Sequence, residues 1–498
     1  MDIFTAISSL TQYGIKHGLL SAEDRTYTIN LLIDALNLSV YEEKLPQDSP
    51  LEDILGTMLD YAVKNNIIEE GVTSRDLFDT KLMNCLLPRP SEVIKRFRAD
   101  YAVSPEVATD NYYAFSKASD YIREYRVRND EKWITSTEYG DIDITINLSK
   151  PEKDPRAIAA ASKNKTAAQY PKCMLCVENE GFAGTLTHPA RSNHRIIPIT
   201  LDNEAWCLQY SPYVYYNEHC IVFNSRHIPM IINKNALTKL LSFVEMFPHY
   251  FLGSNAGLPI VGGSILSHEH YQGGRYEFAM AKAKIEVPLE FVGFPNVKGG
   301  IVAWPMSVLR IISEDKNELI ELGDKILRKW QAYTDEEAFI FAETDGTPHN
   351  TVTPIARKRN GCYELDIVLR NNITTEQYPD GVYHAHPEHH HLKRENIGLI
   401  EVMGLAVLPS RLKKEMQILK EYLIEDKDIL SNEAIAKHYA WAMQIKEKYE
   451  NITVDNADKI LQDEIGYVFT EILGQCGVFA RTQKGKEQFL KFTDEINK

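Results

Sequence analysis

Residues 258–274 read Leu-Pro-Ile-Val-Gly-Gly-Ser-Ile-Leu-Ser-His-Glu-His-Tyr-Gln-Gly-Gly, so that His268, His270 and Gln272 alternate with Glu269 and Tyr271 between two glycine pairs. A period of two belongs to extended backbone, and the stretch from Ser264 to Gln272 is therefore predicted as a strand with its three polar side chains on one face. Two imidazoles and an amide then converge on one point. Gly262, Gly263, Gly273 and Gly274 let backbone approach a ligand closely, as a phosphate requires, because no Cβ intervenes. The segment fixes a β element in the middle of a chain whose two ends read as helix, which makes the fold class α+β. A phosphate handled by histidine is the chemistry it suggests.

A chain of 498 residues exceeds the size at which one core keeps growing, so several domains are expected. The formal charge of −15 argues against nucleic-acid binding, which needs clustered Lys and Arg to release counterions. A small anionic substrate would need a local basic pocket instead. Seven cysteines, with only Cys173 and Cys176 close together, suit a reducing cytosol. The N-terminus lacks a basic region followed by an apolar one, and no apolar run reaches membrane-spanning length. A soluble cytoplasmic protein with no membrane partner is the expectation.

Apolar residues recur at three and four through residues 1 to about 130, with helix starts expected at Ser21 followed by Asp24 and at Ser49-Pro50 followed by Glu52. Asp141 to Leu148 alternates as a half-buried strand. Ser149 to Asn164, with Pro151 and Pro155, reads as a linker. Beyond it come a β-rich stretch at His219 to Asn224, a helix from Ala236 to Phe247 and the glycine-framed strand. The order returns as strand Met306 to Ile312, a helix capped by Ser313 and running to about Ala332, and strands at Ala338 to Ala342 and Tyr363 to Leu369. Four regions are expected: helical 1–140, α+β halves at 141–295 and 296–410, and helical 411–498.

Cys173-Met-Leu-Cys176 can bite one metal ion through two thiolates, which is half of a tetrahedral site. His227, at the end of a strand, and His268 can supply the other half. His270 can serve as nucleophile or general base. If the target is phosphorus bearing a leaving group of low pKa, a neutral imidazole attacks without prior deprotonation and no strong general acid is needed. Gln272 and glycine N–H groups can then hold the non-bridging oxygens. His384 to His391 holds five of the fifteen histidines and admits either a metal or a hydrogen-bonding loop. Pro354 to Gly361 reads as a basic turn usable for a phosphate, or as a solvated hairpin.

Pro259 to Gly274 closely resembles the signature of the class II galactose-1-phosphate uridylyltransferases. Tyr170-Pro-Lys-Cys-Met-Leu-Cys176, Asn396-Ile-Gly-Leu-Ile-Glu-Val-Met-Gly-Leu-Ala406 with Leu408-Pro409, and Gly477-Val-Phe-Ala-Arg-Thr are similar to the same family. The resemblance implies two related histidine-triad-like halves with antiparallel sheets. It also implies transfer of uridylyl from UDP-glucose to galactose 1-phosphate by a ping-pong route, with His270 carrying UMP, Gln272 holding the phosphate and His268 orienting its neighbour. By the same resemblance Cys173, Cys176, His227 and His268 would hold a structural zinc, with no organic cofactor. Asn255 and Ser264 would contact nucleotide or phosphate, Glu401 would contact the hexose, and the protein would be a homodimer. Some relatives carry a second, iron-type site, but Asp366 and Val368 stand where its paired histidines would be, so none is expected here. A histidine-triad hydrolase is the competing enzyme reading, disfavoured because Gln272 stands where such hydrolases place a third histidine. A metal-binding regulatory protein is the non-enzymatic one.

Overall fold

The computed structural model of the chain describes residues 1–148, 170–262 and 265–498. The predicted linker, Gly263 and Ser264 lie outside the described residues. Two compact units are present, one made of Met1–Arg128, the described part of Lys150–Val214, and Cys220–Ile228, the other of Asn129–Ser149, Tyr215–His219 and Pro229–Lys498. The described strands are β1 (Glu131–Thr137), β2 (Gly140–Ile146), β3 (Ile197–Leu201), β4 (Glu204–Tyr210), β5 (Cys220–Asn224), β6 (Phe251–Gly253), β7 (His270–Gly274), β8 (Ile285–Leu289), β9 (Lys298–Val302), β10 (Val308–Ser313), β11 (Glu343–Thr344), β12 (Thr347–Pro348), β13 (Asn350–Arg359), β14 (Cys362–Asn371) and β15 (Leu405–Leu408). No helix among the described residues is long and apolar enough to cross a membrane.

The first unit opens with the expected helices, including Ile3–Lys16, Leu51–Lys64 and Pro105–Ala118. Their ends are satisfied locally. Asp2 accepts from the N–H groups of Phe4 and Thr5, and Ser104 accepts from Val107 with Pro105 at the first helical position. Ser21 does not cap through its side chain; its hydroxyl donates to Asp24 at 2.8 Å, and a short 3₁₀ turn precedes the helix Arg25–Ala35. Ile7, Leu10, Leu32, Leu55, Met58 and Leu82 form the apolar core between these helices. The hydroxyls of Tyr112 and Tyr210 donate to the carbonyls of Arg195 and Thr109, at 2.6 and 3.0 Å, tying the last long helix to the antiparallel meander β3-β4-β5.

In the second unit, antiparallel pairs join the strands in the order β7-β6-β13-β14-β10-β9-β8. The α+β class and the helices at both ends of the chain agree with the sequence reading. One pair departs from the antiparallel expectation: β15 runs parallel to β2 in a small second sheet, β1-β2-β15. Helices Lys234–Met246 and Lys316–Gln331 each follow a strand and precede a strand pair, repeating one order of elements.

Three strand assignments change. The central strand covers only His270–Gly274, so His268 stands before the strand and not in it. Ala338 to Ala342 is no strand; a 3₁₀ turn ends there with Phe339 left-handed at φ 58°. Pro354 to Arg359 is not a turn but the second half of β13, and only Asn360-Gly361, both at positive φ, turns into β14.

Arg357 is consequently buried. It bonds Asp366, and donates to Glu364 at 3.1 Å, while Arg310 forks onto both Asp366 oxygens at 2.6 and 2.9 Å and donates onward to the carbonyls of Ala283 and Met280. Burial raises the Asp366 pKa, but the two guanidiniums outweigh it and leave the carboxyl below its ordinary range. Removing one member leaves its partners charged without compensation. Asp366→Ala is therefore expected to cost about 3–5 kcal/mol, read as a drop in the denaturant midpoint with unchanged slope. A loss under 1 kcal/mol would be too small for such a buried pair.

Candidate nucleotidyl-transfer site

The register of β7 decides which side chains meet. Gln272 lies opposite Gly253, Gly253 opposite Ile355, and Ile355 opposite Asp366. Residues opposite one another share a face, so His270 and Gln272 stand on the Asp366 side of the sheet. Tyr271 points the other way, where its hydroxyl donates to Glu269 at 3.1 Å and Lys239 of the underlying helix meets the same carboxylate at 3.4 Å. That buried pair pins the strand from behind.

His270 is 7 % exposed. Its Nδ1 lies 2.8 Å from the carbonyl oxygen of His268, which can only accept, so the ring proton sits on Nδ1 and the lone pair on Nε2. Nε2 has no hydrogen-bond partner among the described residues. Burial lowers the His270 pKa and outweighs the His268 carbonyl, which raises it, so the neutral ring is favoured. A buried neutral imidazole with one pinned nitrogen and one open nitrogen can act as a nucleophile.

Gln272 is half-buried, and its Oε1 accepts from His219 Nε2 at 3.1 Å. Sequence reasoning used His219 only as the start of a β-rich stretch. Nothing local marked it, because its partner lies 53 residues away.

Gly262 forms an isolated bridge with Ala256, and a Cβ there would come within 2.1 Å of the Ala256 carbonyl oxygen, so only glycine fits. Asn255 Oδ1 accepts from the Leu399 N–H at 2.8 Å, and Leu399 lies over Gly253, where a Cβ would approach its side chain to 2.7 Å. Glu401 accepts from Lys393 at 2.9 Å and from the Gly398 N–H at 2.9 Å. Both side chains thus hold the turn at 398–402 together, whatever else they contact.

In the first unit the predicted thiol pair and His227 come together. Cys173 Sγ and Cys176 Sγ are 3.5 Å apart, Cys176 Sγ is 3.2 Å from His227 Nδ1, and these donor atoms lie within 4.8 Å of one another. Asn179 donates to both cysteine carbonyls, at 2.9 and 2.8 Å, and the Leu175 N–H points at Cys173 Sγ at 3.4 Å. A tetrahedral zinc with bonds of about 2.3 Å to sulfur and about 2.0 Å to nitrogen spans edges of roughly 3.5–3.8 Å, and this Cys₂His set fits it. His268 belongs to the second unit and is wholly buried.

The histidine-rich loop does not converge. His384 faces Asn396, His386 the Val382 carbonyl, His390 the Ala385 carbonyl, and His391 the ring of His438, which bonds Glu415. Separate partners for separate rings make it a hydrogen-bonded loop.

The sequence matches two family descriptions: "Galactose-1-phosphate uridyl transferase, N-terminal domain" over residues 21–229 and the corresponding C-terminal domain over 243–443. It is 54% identical to a galactose-1-phosphate uridylyltransferase of Clostridium acetobutylicum, covering 98% of both chains. Identity is 51% to the Fusobacterium nucleatum protein of that name, covering 100% of this chain and 99% of the relative, and 49% to that of Bacillus subtilis, covering 100% and 98%.

Elemental analysis of the purified protein is expected to find about one zinc per chain, lost in Cys173→Ser and Cys176→Ser. Metal-free wild type that is folded and active would remove these residues from any metal site.

Proposed function

This chain belongs to the galactose-1-phosphate uridyl transferase family, and we propose that it moves uridylyl from UDP-glucose to galactose 1-phosphate through a covalent uridylyl-His270. The observation that carries this reading is the open Nε2 of a neutral ring whose Nδ1–H is tied to the His268 carbonyl. Nε2 attacks the α-phosphorus of UDP-glucose; the P–N bond forms as the P–O bond to the β-phosphate breaks, and glucose 1-phosphate leaves. A phosphate oxygen of galactose 1-phosphate then attacks the same phosphorus, breaking P–N and forming UDP-galactose. Charge develops on the imidazole in the first step, where the Nδ1–H···O=C bond stabilises it. The Gln272 amide donates to the non-bridging oxygens. Because an amide cannot relay a proton to water as an imidazole can, the intermediate is kept for a sugar-phosphate acceptor.

A zinc held by Cys173, Cys176, His227 and, in this proposal, His268 would supply structural rigidity and no reaction step. His268 then places the carbonyl that sets the His270 tautomer. Gly262 lines the phosphate, Asn255 offers its Nδ2 amide to the nucleotide, and Glu401 meets the hexose. We carry over the homodimer as part of the same proposal.

Incubation with UDP-glucose alone is expected to add one uridylyl group to the intact protein, removed again by galactose 1-phosphate. His270→Ala should gain no such mass and lose turnover by ~10⁴-fold or more, and Gln272→Ala should lose ~10²-fold in kcat. A wild type that turns over substrate without ever gaining the adduct refutes the covalent route.

A further inference from the structure

His219 is 2 % exposed and lies in the turn Tyr215–His219, which is folded back against the end of β7. Glu218 holds a left-handed conformation at φ 53°, its carboxylate accepts from the Tyr250 hydroxyl at 2.5 Å, and the Tyr216 hydroxyl donates to the Gly273 carbonyl at 3.1 Å. The His219 ring lies tilted against Tyr216, 4.6 Å between centroids. These contacts leave the imidazole one direction in which to bond, toward Gln272 Oε1. Its other nitrogen, Nδ1, is buried and has no hydrogen-bond partner among the described residues.

Two protonation patterns would satisfy the 3.1 Å contact. If Nδ1 carried the proton, a buried N–H would be orphaned and Nε2 would accept from the Gln272 amide. If Nε2 carries it, only an acceptor lone pair is left over, which is the cheaper defect. The second pattern makes His219 the donor and Gln272 Oε1 the acceptor. Burial also keeps the ring neutral, with its pKa pushed down to about 4, so one nitrogen carries a proton at neutral pH.

An amide has one accepting end and one donating end. Once Oε1 is held by His219, the NH₂ group is the end left for a ligand on the open side of β7. Resting on the covalent reading above, we propose that His219 is a positioning residue: by donating to Gln272 Oε1 it presents the Gln272 NH₂, and not its carbonyl, to the non-bridging phosphate oxygens. Without His219 the amide samples both orientations. In one of them a carbonyl oxygen faces the phosphate, and the donor needed in the transition state is absent.

The test is the single-turnover rate of uridylylation by UDP-glucose in four variants of the full chain, with melting temperatures measured in parallel. His219→Leu and His219→Phe both remove the donor, the second keeping an aromatic ring between its neighbours. Each is expected to slow adduct formation about 10- to 100-fold while changing UDP-glucose affinity less than about threefold. His219→Gln, whose amide nitrogen reaches the Nε2 position, should recover to within about fivefold of wild type. The double variant His219→Leu/Gln272→Ala should be no slower than Gln272→Ala alone, since both remove one interaction. Full-rate adduct formation in His219→Leu or His219→Phe, multiplied losses in the double variant, or a His219→Gln as slow as His219→Leu would each overturn the proposal. Such results in a wild type that does form the adduct sink the positioning role alone; a wild type that forms none sinks the covalent reading and this role with it.

Discussion

The pairing of β7 with the three-residue strand β6 in one register is the constraint on which the candidate site depends. A slip of one residue would turn His270 and Gln272 toward the helix Lys234–Met246 and bring Tyr271 onto the opposite face. Three backbone pairs are a weak guarantee against that. The side chains behind the strand supply the rest: Glu269 takes both the Tyr271 hydroxyl and the Lys239 ammonium, a buried arrangement that has no equivalent one residue along. The strand is thus positioned from the face opposite His270 and Gln272.

Further along the same sheet, Arg310, Arg357, Glu364 and Asp366 form a buried set of two positive and two negative groups across β10, β13 and β14. Such a set is poor at adding net stability, because desolvation consumes most of the Coulombic gain. It is good at excluding alternatives. Any other hairpin register would bury these charges without their partners. Asp366 is committed to two guanidiniums.

The alternation of His268, His270 and Gln272 was legible as a shared face, and the Cys-x-x-Cys pair with His227 was legible as a donor set, because each rests on spacing along the chain. The length of the strand was not. A polar period of two can continue past the point where a strand ends, and β7 begins only at His270, so His268 falls outside it while keeping its place in the pattern. Arg357 read as solvated because its partner Asp366 lies across a hairpin; recognising Asn360-Gly361 as the turn would have placed Arg357 opposite Glu364 and next to Asp366. His219 carried no signal at all, since its orientation depends on a left-handed residue and on the contacts of its turn with Tyr250 and Gly273.

Leu399 lies over Gly253, and Gly253 lies beside Gln272. The turn that contains Glu401 is therefore seated directly on the strand next to the Gln272 amide, with Asn255 stitching its N-terminus down. The two cannot drift apart independently. A glycine with no chemistry of its own acts as a common datum, so that the spacing between the Gln272 amide and the Glu401 carboxylate is set by backbone thickness and one leucine, and a ligand touching both would be measured against a fixed gauge.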